Sequence, residues 1–115
     1  MKIVYVEDSP DQVSNLQRIA SYLGHEVIIA ITGEEGYTLM QNQPDLLLVD
    51  INLPDINGLD LARRLRAEHY TLPIVALTAD TFTYDEEQAL KAGCTVFMPK
   101  PYTFESLKAL FERFN

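Results

Sequence analysis

Positive charge is scarce in this chain: nine lysines and arginines stand against seventeen aspartates and glutamates, for a net charge of -8. Neutralising a run of phosphates needs a face rich in basic side chains, so non-specific nucleic-acid binding is excluded. Cysteine is reduced to Cys94. It cannot close an internal disulfide, and in the setting Ala92-Gly93-Cys94-Thr95 it reads as a small buried hydrophobe suited to a reducing compartment. No apolar run is long enough to span a bilayer, and the one after Lys2 stops at Glu7-Asp8, too early for a secretory signal. A cytoplasmic, soluble protein without membrane contact is the expectation. Repeats, linkers and low-complexity segments are also missing, while an apolar content of 47% argues against disorder. At 115 residues that points to one domain, spanning 1–115, with no output domain beside it.

What is present alternates in period. Ile3 to Val6, Val27 to Ile31, Leu46 to Val49, Ile74 to Leu77 and Val96 to Met98 read as five short strands, the third a continuous apolar run of the kind covered on both faces. Between them lie helical patterns. Ser9, Pro10 and Gln12 predict an N-cap, a first-turn proline and a capping box for a helix whose apolar face is Val13, Leu16, Ala20 and Leu23. Thr32-Gly33-Glu34-Glu35 predicts a second capping box ahead of Tyr37, Leu39 and Met40, and Leu59, Ala62 and Leu65 mark a third helix with Arg63, Arg64 and Arg66 on a solvated face. A fourth, weakly amphipathic helix is expected from Tyr84 to Ala92, and a fifth after Thr103 with Leu107, Leu110, Phe111 and Phe114 inward. Five strands alternating with five helices through short connections imply an α/β fold, a doubly wound parallel sheet of order 2-1-3-4-5.

That order puts the ends of strands 1 and 3 side by side, and with them Glu7, Asp8 and Asp50. Thr78 ends the fourth strand on the same edge and Lys100 follows the fifth. Clustered carboxylates raise one another's proton affinity unless a cation sits among them, and a few carboxylates plus water suit Mg²⁺. A metal, a carboxylate nucleophile, a hydroxyl and an ammonium together supply what phosphoryl transfer to an aspartate requires. Singly, each of these residues has a plainer role as a strand end, turn former or surface charge; together at one sheet edge they read as a site.

Along Val6-Glu7-Asp8, Val49-Asp50-Ile51-Asn52-Leu53-Pro54, Asn57-Gly58, Ala76-Leu77-Thr78-Ala79 and Pro99-Lys100-Pro101, and over essentially its whole length, the chain resembles a response-regulator receiver domain of two-component or phosphorelay signalling. The resemblance implies that Asp50 is the phosphoacceptor and that Asp8, Asp50, the backbone carbonyl of Asn52 and, through water, Glu7 hold Mg²⁺, for which Mn²⁺ can substitute. It implies phosphoryl contacts from Thr78 and Lys100, a cis bond before Pro101, and a switch pair of Thr78 and Phe97, the latter lacking the hydroxyl of the tyrosine often found there. The donor would be a histidine kinase or histidine phosphotransfer protein docking near Pro10 to Leu16. The domain would assist its own phosphorylation and dephosphorylation, with Asp80 influencing hydrolysis, rather than act as a stand-alone kinase, and would be a monomer or weak dimer.

Two other readings compete. A phosphohydrolase of the haloacid dehalogenase type shares an aspartate nucleophile and Mg²⁺, but Asp50 lies on the third strand, Asn52 replaces the expected acid and no cap region is present. A flavodoxin-like FMN carrier needs a glycine- or hydroxyl-rich phosphate loop after the first strand, where this chain places Glu7-Asp8.

Overall fold

The computed structural model describes all residues, 1–115. Its strands are β1 (Lys2–Val6), β2 (Glu26–Ala30), β3 (Leu46–Asp50), β4 (Ile74–Thr78) and β5 (Val96–Pro99). Its helices are α1 (Pro10–Tyr22), α2 (Gly33–Leu39), α3 (Gly58–Ala67), α4 (Glu86–Lys91) and α5 (Phe104–Phe114), with a single 3₁₀ turn after α2. All strands pair in parallel in the order β2-β1-β3-β4-β5, as the alternation of periods predicts.

The two-residue period of each strand divides the core into two layers. Val4, Val6, Leu47, Val49, Ile74 and Ala76 face α3 and its neighbours, packing with Leu61, Ala62 and Leu65. Ile3, Tyr5, Leu46, Leu48, Val75 and Leu77 face α1 and α5, packing with Leu16, Ala20, Leu107, Leu110 and Phe111. The centre of the sheet is thereby dry on both sides, and every residue of β3 is buried. Leu46 to Val49 thus form a stiff mount for the residue that ends the strand.

Helix termini follow local chemistry, with instructive departures. Ser9 sits at the start of α1 with proline next, but its side chain caps nothing. Instead its amide donates to Glu7 Oε2 at 3.2 Å, so the predicted box gives way to a bond with the strand-end acid. Thr32 accepts from the Glu35 amide at 3.1 Å, one half of the expected box. The fourth helix is shorter than its pattern suggested. Asp85 and Gln88 form a reciprocal capping box, so α4 begins at Glu86, and Tyr84 belongs to the preceding loop. Only Ala89 of α4 is buried, which makes this the least anchored helix of the fold. Arg63 and Arg64 lie on the solvated face of α3, but Arg66 does not. Its guanidinium is half-buried and donates to the carbonyls of Gly93 at 2.8 Å and Tyr70 at 2.9 Å, tying α3 to the turns before β4 and β5. Cys94 is buried as expected, and burial pushes its thiol up to about 11, away from reactivity.

Candidate active site

The ends of β1, β3, β4 and β5 converge on one edge of the sheet. Val6 pairs with Val49, which sets Glu7 and Asp8 next to Asp50, and Asp50 pairs with Leu77, which sets Thr78 on its other side. Carboxylate oxygens of Glu7, Asp8 and Asp50 all lie within 4.8 Å of one another. Glu7 and Asp50 are buried, whereas Asp8 is exposed at the mouth. Lys100 follows β5, anchored by its amide to the Thr78 carbonyl at 2.8 Å and preceding a cis bond to Pro101.

The lysine divides itself unequally between the acids. Its Nζ is 2.6 Å from Glu7 Oε1 and 3.5 Å from Asp50 Oδ1. Burial is the largest influence on Asp50 and outweighs the attraction of Lys100; with repulsion from Glu7 added, its carboxyl is pushed up to about 6. Such a group is held in an environment that favours either a proton or a cation. A hard divalent ion among these oxygens would satisfy it, and the donor set fits that chemistry.

Thr78 is wholly buried and its Oγ1 accepts the Asp80 amide at 2.9 Å, which leaves the hydroxyl proton available to a further acceptor. Asp80 itself is occupied in capping the Thr83 amide at 3.0 Å. Phe97 is half-buried and already rests against the core layer on the α3 side of the sheet.

The loop after Asp50 is built for rigidity. The Asn52–Asn57 bridge closes it, and the Gly58 amide returns to the Ile51 carbonyl at 2.7 Å. A Cβ on Gly58 would stand 2.3 Å from the Asp50 carbonyl oxygen and 2.9 Å from Ile51 Cα, backbone atoms of the acid itself and of the residue that follows it. Gly58→Ala is therefore expected to destabilise the fold by ~2 kcal/mol or more, as overpacking against backbone does, measurable by urea denaturation. Asp8, Asn52 and Asp55 line an open depression of about 390 Å³ over this loop.

Three participants were not anticipated. Asp55 clamps the loop onto α2, accepting the Gly33 amide at 2.8 Å and the Glu34 amide at 3.0 Å. Asn57, the N-cap of α3, also donates to the Tyr84 hydroxyl at 3.0 Å and so joins the loops after β3 and β4. Tyr5, wholly buried in β1, donates to Glu7 Oε1 at 3.3 Å. Burial first, then the neighbouring Tyr102 and Glu7, raises its phenol well above the usual value, so it remains a donor. A signal for Tyr5 was present: the residue two before Glu7 shares its face, and a phenol inside an aliphatic strand must find a partner.

Comparison with known proteins agrees with this geometry. The family model described as "Response regulator receiver domain" matches residues 3–112. The transcriptional regulatory protein CpxR of Escherichia coli K12 is 35% identical over 108 residues, covering 94% of this chain and 46% of that protein. The response regulator SaeR of Staphylococcus aureus is 30% identical over 101 residues, covering 88% of this chain and 44% of SaeR. The chain thus spans about half the length of these curated relatives. Among solved structures, the BeF3-activated N-terminal receiver domain of Klebsiella pneumoniae RstA superposes with a TM-score of 0.86 at 28% identity, covering 99% of this chain and 97% of that one. The receiver domain of a sensor histidine kinase of Pseudomonas aeruginosa PAO1, with a magnesium ion in its active-site cleft, gives 0.88 at 28%, covering 98% and 95%. The matches favour neither a phosphohydrolase nor a flavin carrier. With the parallel 2-1-3-4-5 sheet, the acid cluster at its edge and a family match over nearly every residue, this chain belongs to the response regulator receiver domains.

Proposed function

We propose that the domain accepts a phosphoryl group on Asp50 from a phosphohistidine and passes the change of state to a protein partner. The observation that carries this reading is the placement of Asp50: buried, mounted at the end of a rigid strand, next to two further acids and a lysine. A carboxylate oxygen of Asp50 attacks phosphorus in line, the phosphorus–nitrogen bond breaks, and the imidazole leaves with the bonding pair and takes up a proton. When bound, Mg²⁺, or Mn²⁺ in its place, supplies neutralisation of charge on the transferred oxygens. Asp8, Asp50 and the Asn52 carbonyl would hold it directly and Glu7 through water. The receiver domain of the Pseudomonas histidine kinase, which holds magnesium in its cleft, supports this assignment.

Lys100 is within reach of Asp50 and carries the charge that a phosphoryl oxygen needs. Thr78 can give its proton to a second oxygen while keeping the Asp80 amide. Drawing Thr78 toward Asp50 shifts the loop that leads to α4, the helix with least to hold it, and Phe97 repacks against the space released. The Tyr84–Asn57 bond spans the loops after β3 and β4, so a shift of the second loop has to carry this bond with it or break it. The donor approaches over the groove formed by Gln12, Asn15, Ala79, Lys100, Pro101 and Tyr102, which opens beside the lysine and includes the first turns of α1. The role is that of a signalling phosphoacceptor that takes part in its own chemistry. No helix is long and apolar enough to cross a membrane.

Incubation with a phosphorylated histidine-kinase core tests the reading. Label is expected to move from the kinase to this domain in Mg²⁺ and to stay on the kinase when a chelator is added. Transfer that ignores the chelator, or none from any of a panel of kinases, would contradict it.

A further inference from the structure

We infer that Tyr5 is a positioning residue for phosphorylation, whose hydroxyl lets Glu7 release Lys100 toward the modified Asp50. The inference rests on the phosphoacceptor reading of Asp50. In the unmodified domain Lys100 is closer to Glu7, at 2.6 Å, than to Asp50, at 3.5 Å. A phosphoryl group on Asp50 must therefore compete with Glu7 for the same ammonium.

Glu7 is only 1% exposed, so beyond a water shared with Mg²⁺ its carboxylate depends on donors from the protein. Its Oε2 is already bonded to the Ser9 amide, and its Oε1 receives two donors, Lys100 and Tyr5. If Lys100 moves, the Tyr5 hydroxyl is the protein donor that stays on Oε1. The Tyr5 ring is 0% exposed, held by Leu16, Leu48 and the rest of the α1–α5 layer, so the hydroxyl cannot swing away to solvent. Tyr102, across from it, sends its own hydroxyl to the Gln12 carbonyl at 3.5 Å and packs against the same layer. Removing the Tyr5 hydroxyl does little while Lys100 still satisfies Oε1, but leaves a buried carboxylate oxygen without a protein donor once Lys100 has gone. The bond is worth more in the phosphorylated state than before it, and that difference is what shifts an equilibrium.

Tyr5→Phe keeps the ring and deletes the hydroxyl. Titration of beryllofluoride into the full chain at saturating Mg²⁺, followed by fluorine NMR, is expected to give a Kd about tenfold weaker than for the unaltered protein, the size of one hydrogen bond to a charged partner. Mg²⁺ affinity without beryllofluoride and the melting temperature are expected to stay close to those of the unaltered chain. Tyr37→Phe, which loses a hydroxyl bonded to Glu68 away from this crevice, is expected to bind beryllofluoride normally. An unchanged Kd in Tyr5→Phe overturns the inference, as does a weakening matched by an equal loss of Mg²⁺ affinity or of thermal stability. Failure of the unaltered chain to bind beryllofluoride would instead remove the phosphoacceptor reading on which the inference stands.

Discussion

Asp50→Asn is expected to stabilise the domain at pH 7 in the presence of a chelator, by on the order of 2 to 3 kcal/mol. Burial holds the Asp50 carboxyl at about 6 in the folded chain against 3.8 for an ordinary aspartate, in spite of Lys100. The folded state therefore binds this proton more tightly than the unfolded state. Below about pH 4 both states are protonated and Asp50 is neutral in its effect. As pH rises through the interval from 3.8 to about 6 the unfolded chain ionises first, and the folded state becomes progressively disfavoured, fully so above that range. An amide of the same shape escapes this. Urea denaturation of both proteins at several pH values should show a gap that is small near pH 4 and widest at neutral pH. Added Mg²⁺ should narrow it, because an ion that binds only the folded carboxylate stabilises the parent chain. A gap that is constant with pH would mean that the burial of Asp50 is not what limits stability at this edge of the sheet.

Loss of Lys100 is expected to act in the opposite direction. Its ammonium is the one basic group in contact with the buried acids, 2.6 Å from Glu7 and 3.5 Å from Asp50. Lys100→Met leaves both carboxylates without it, and removing one partner from a buried ion pair costs ~3 kcal/mol or more. It also removes the influence that lowers the Asp50 carboxyl, so that group should titrate at still higher pH. The pair nature of the contact makes a second expectation. Glu7→Gln combined with Lys100→Met should recover more than half of the loss, since a neutral amide no longer needs the ammonium. A double variant as unstable as the sum of the two single ones would show that Lys100 and Glu7 are not coupled, and would remove the basis for the competition between Glu7 and the modified Asp50.

Much of this molecule can be read from strand ends. The run Leu46 to Val49 is apolar without alternation because helices cover both faces of β3, and the acid that terminates it lies at the carboxyl edge by construction. Counting strands leads to the 2-1-3-4-5 order, and the order alone brings Glu7 and Asp8 to Asp50, places Thr78 on its other side and sends Lys100 across from β5. Legibility stops where side-chain choice decides. Nothing in the spacing of Glu7, Asp50 and Lys100 tells which acid takes the shorter contact, because that depends on rotamers within the crevice. Ser9 looks like an N-cap, but its amide has a better use in holding Glu7. Tyr84 looks like the first apolar residue of a helix, yet Asp85 and Gln88 close a box one residue later and leave the ring to the loop, where its hydroxyl meets Asn57. Arg66 looks like one of three solvated arginines, but its position on α3 turns it toward the Gly93 and Tyr70 carbonyls. For Ser9 and Tyr84 a competing local bond decided the outcome, and for Arg66 a tertiary partner did.

The order of the contacts also explains why the parts of the site depend on one another. The three acids repel, Lys100 partly balances them, and Tyr5 and the Ser9 amide hold Glu7 in place. Of the two buried acids, Asp50 consequently has the less compensation, and it is the one whose environment the proposed phosphorylation would change most.

Reductive trapping tests the central claim most directly. An aspartyl phosphate is an acyl phosphate, and borohydride reduces it to an alcohol, converting the aspartate to homoserine at the position that carried the group. The domain should be phosphorylated by a phosphohistidine donor in Mg²⁺, treated with borohydride and digested, and the peptides sequenced by mass spectrometry. Homoserine at position 50, and at no other acidic position, is the result expected here. Homoserine at Glu7's neighbour Asp8 or at Asp55 with Asp50 intact, or phosphate retained on a hydroxyl that borohydride does not touch, would contradict the assignment of Asp50 as the phosphoacceptor.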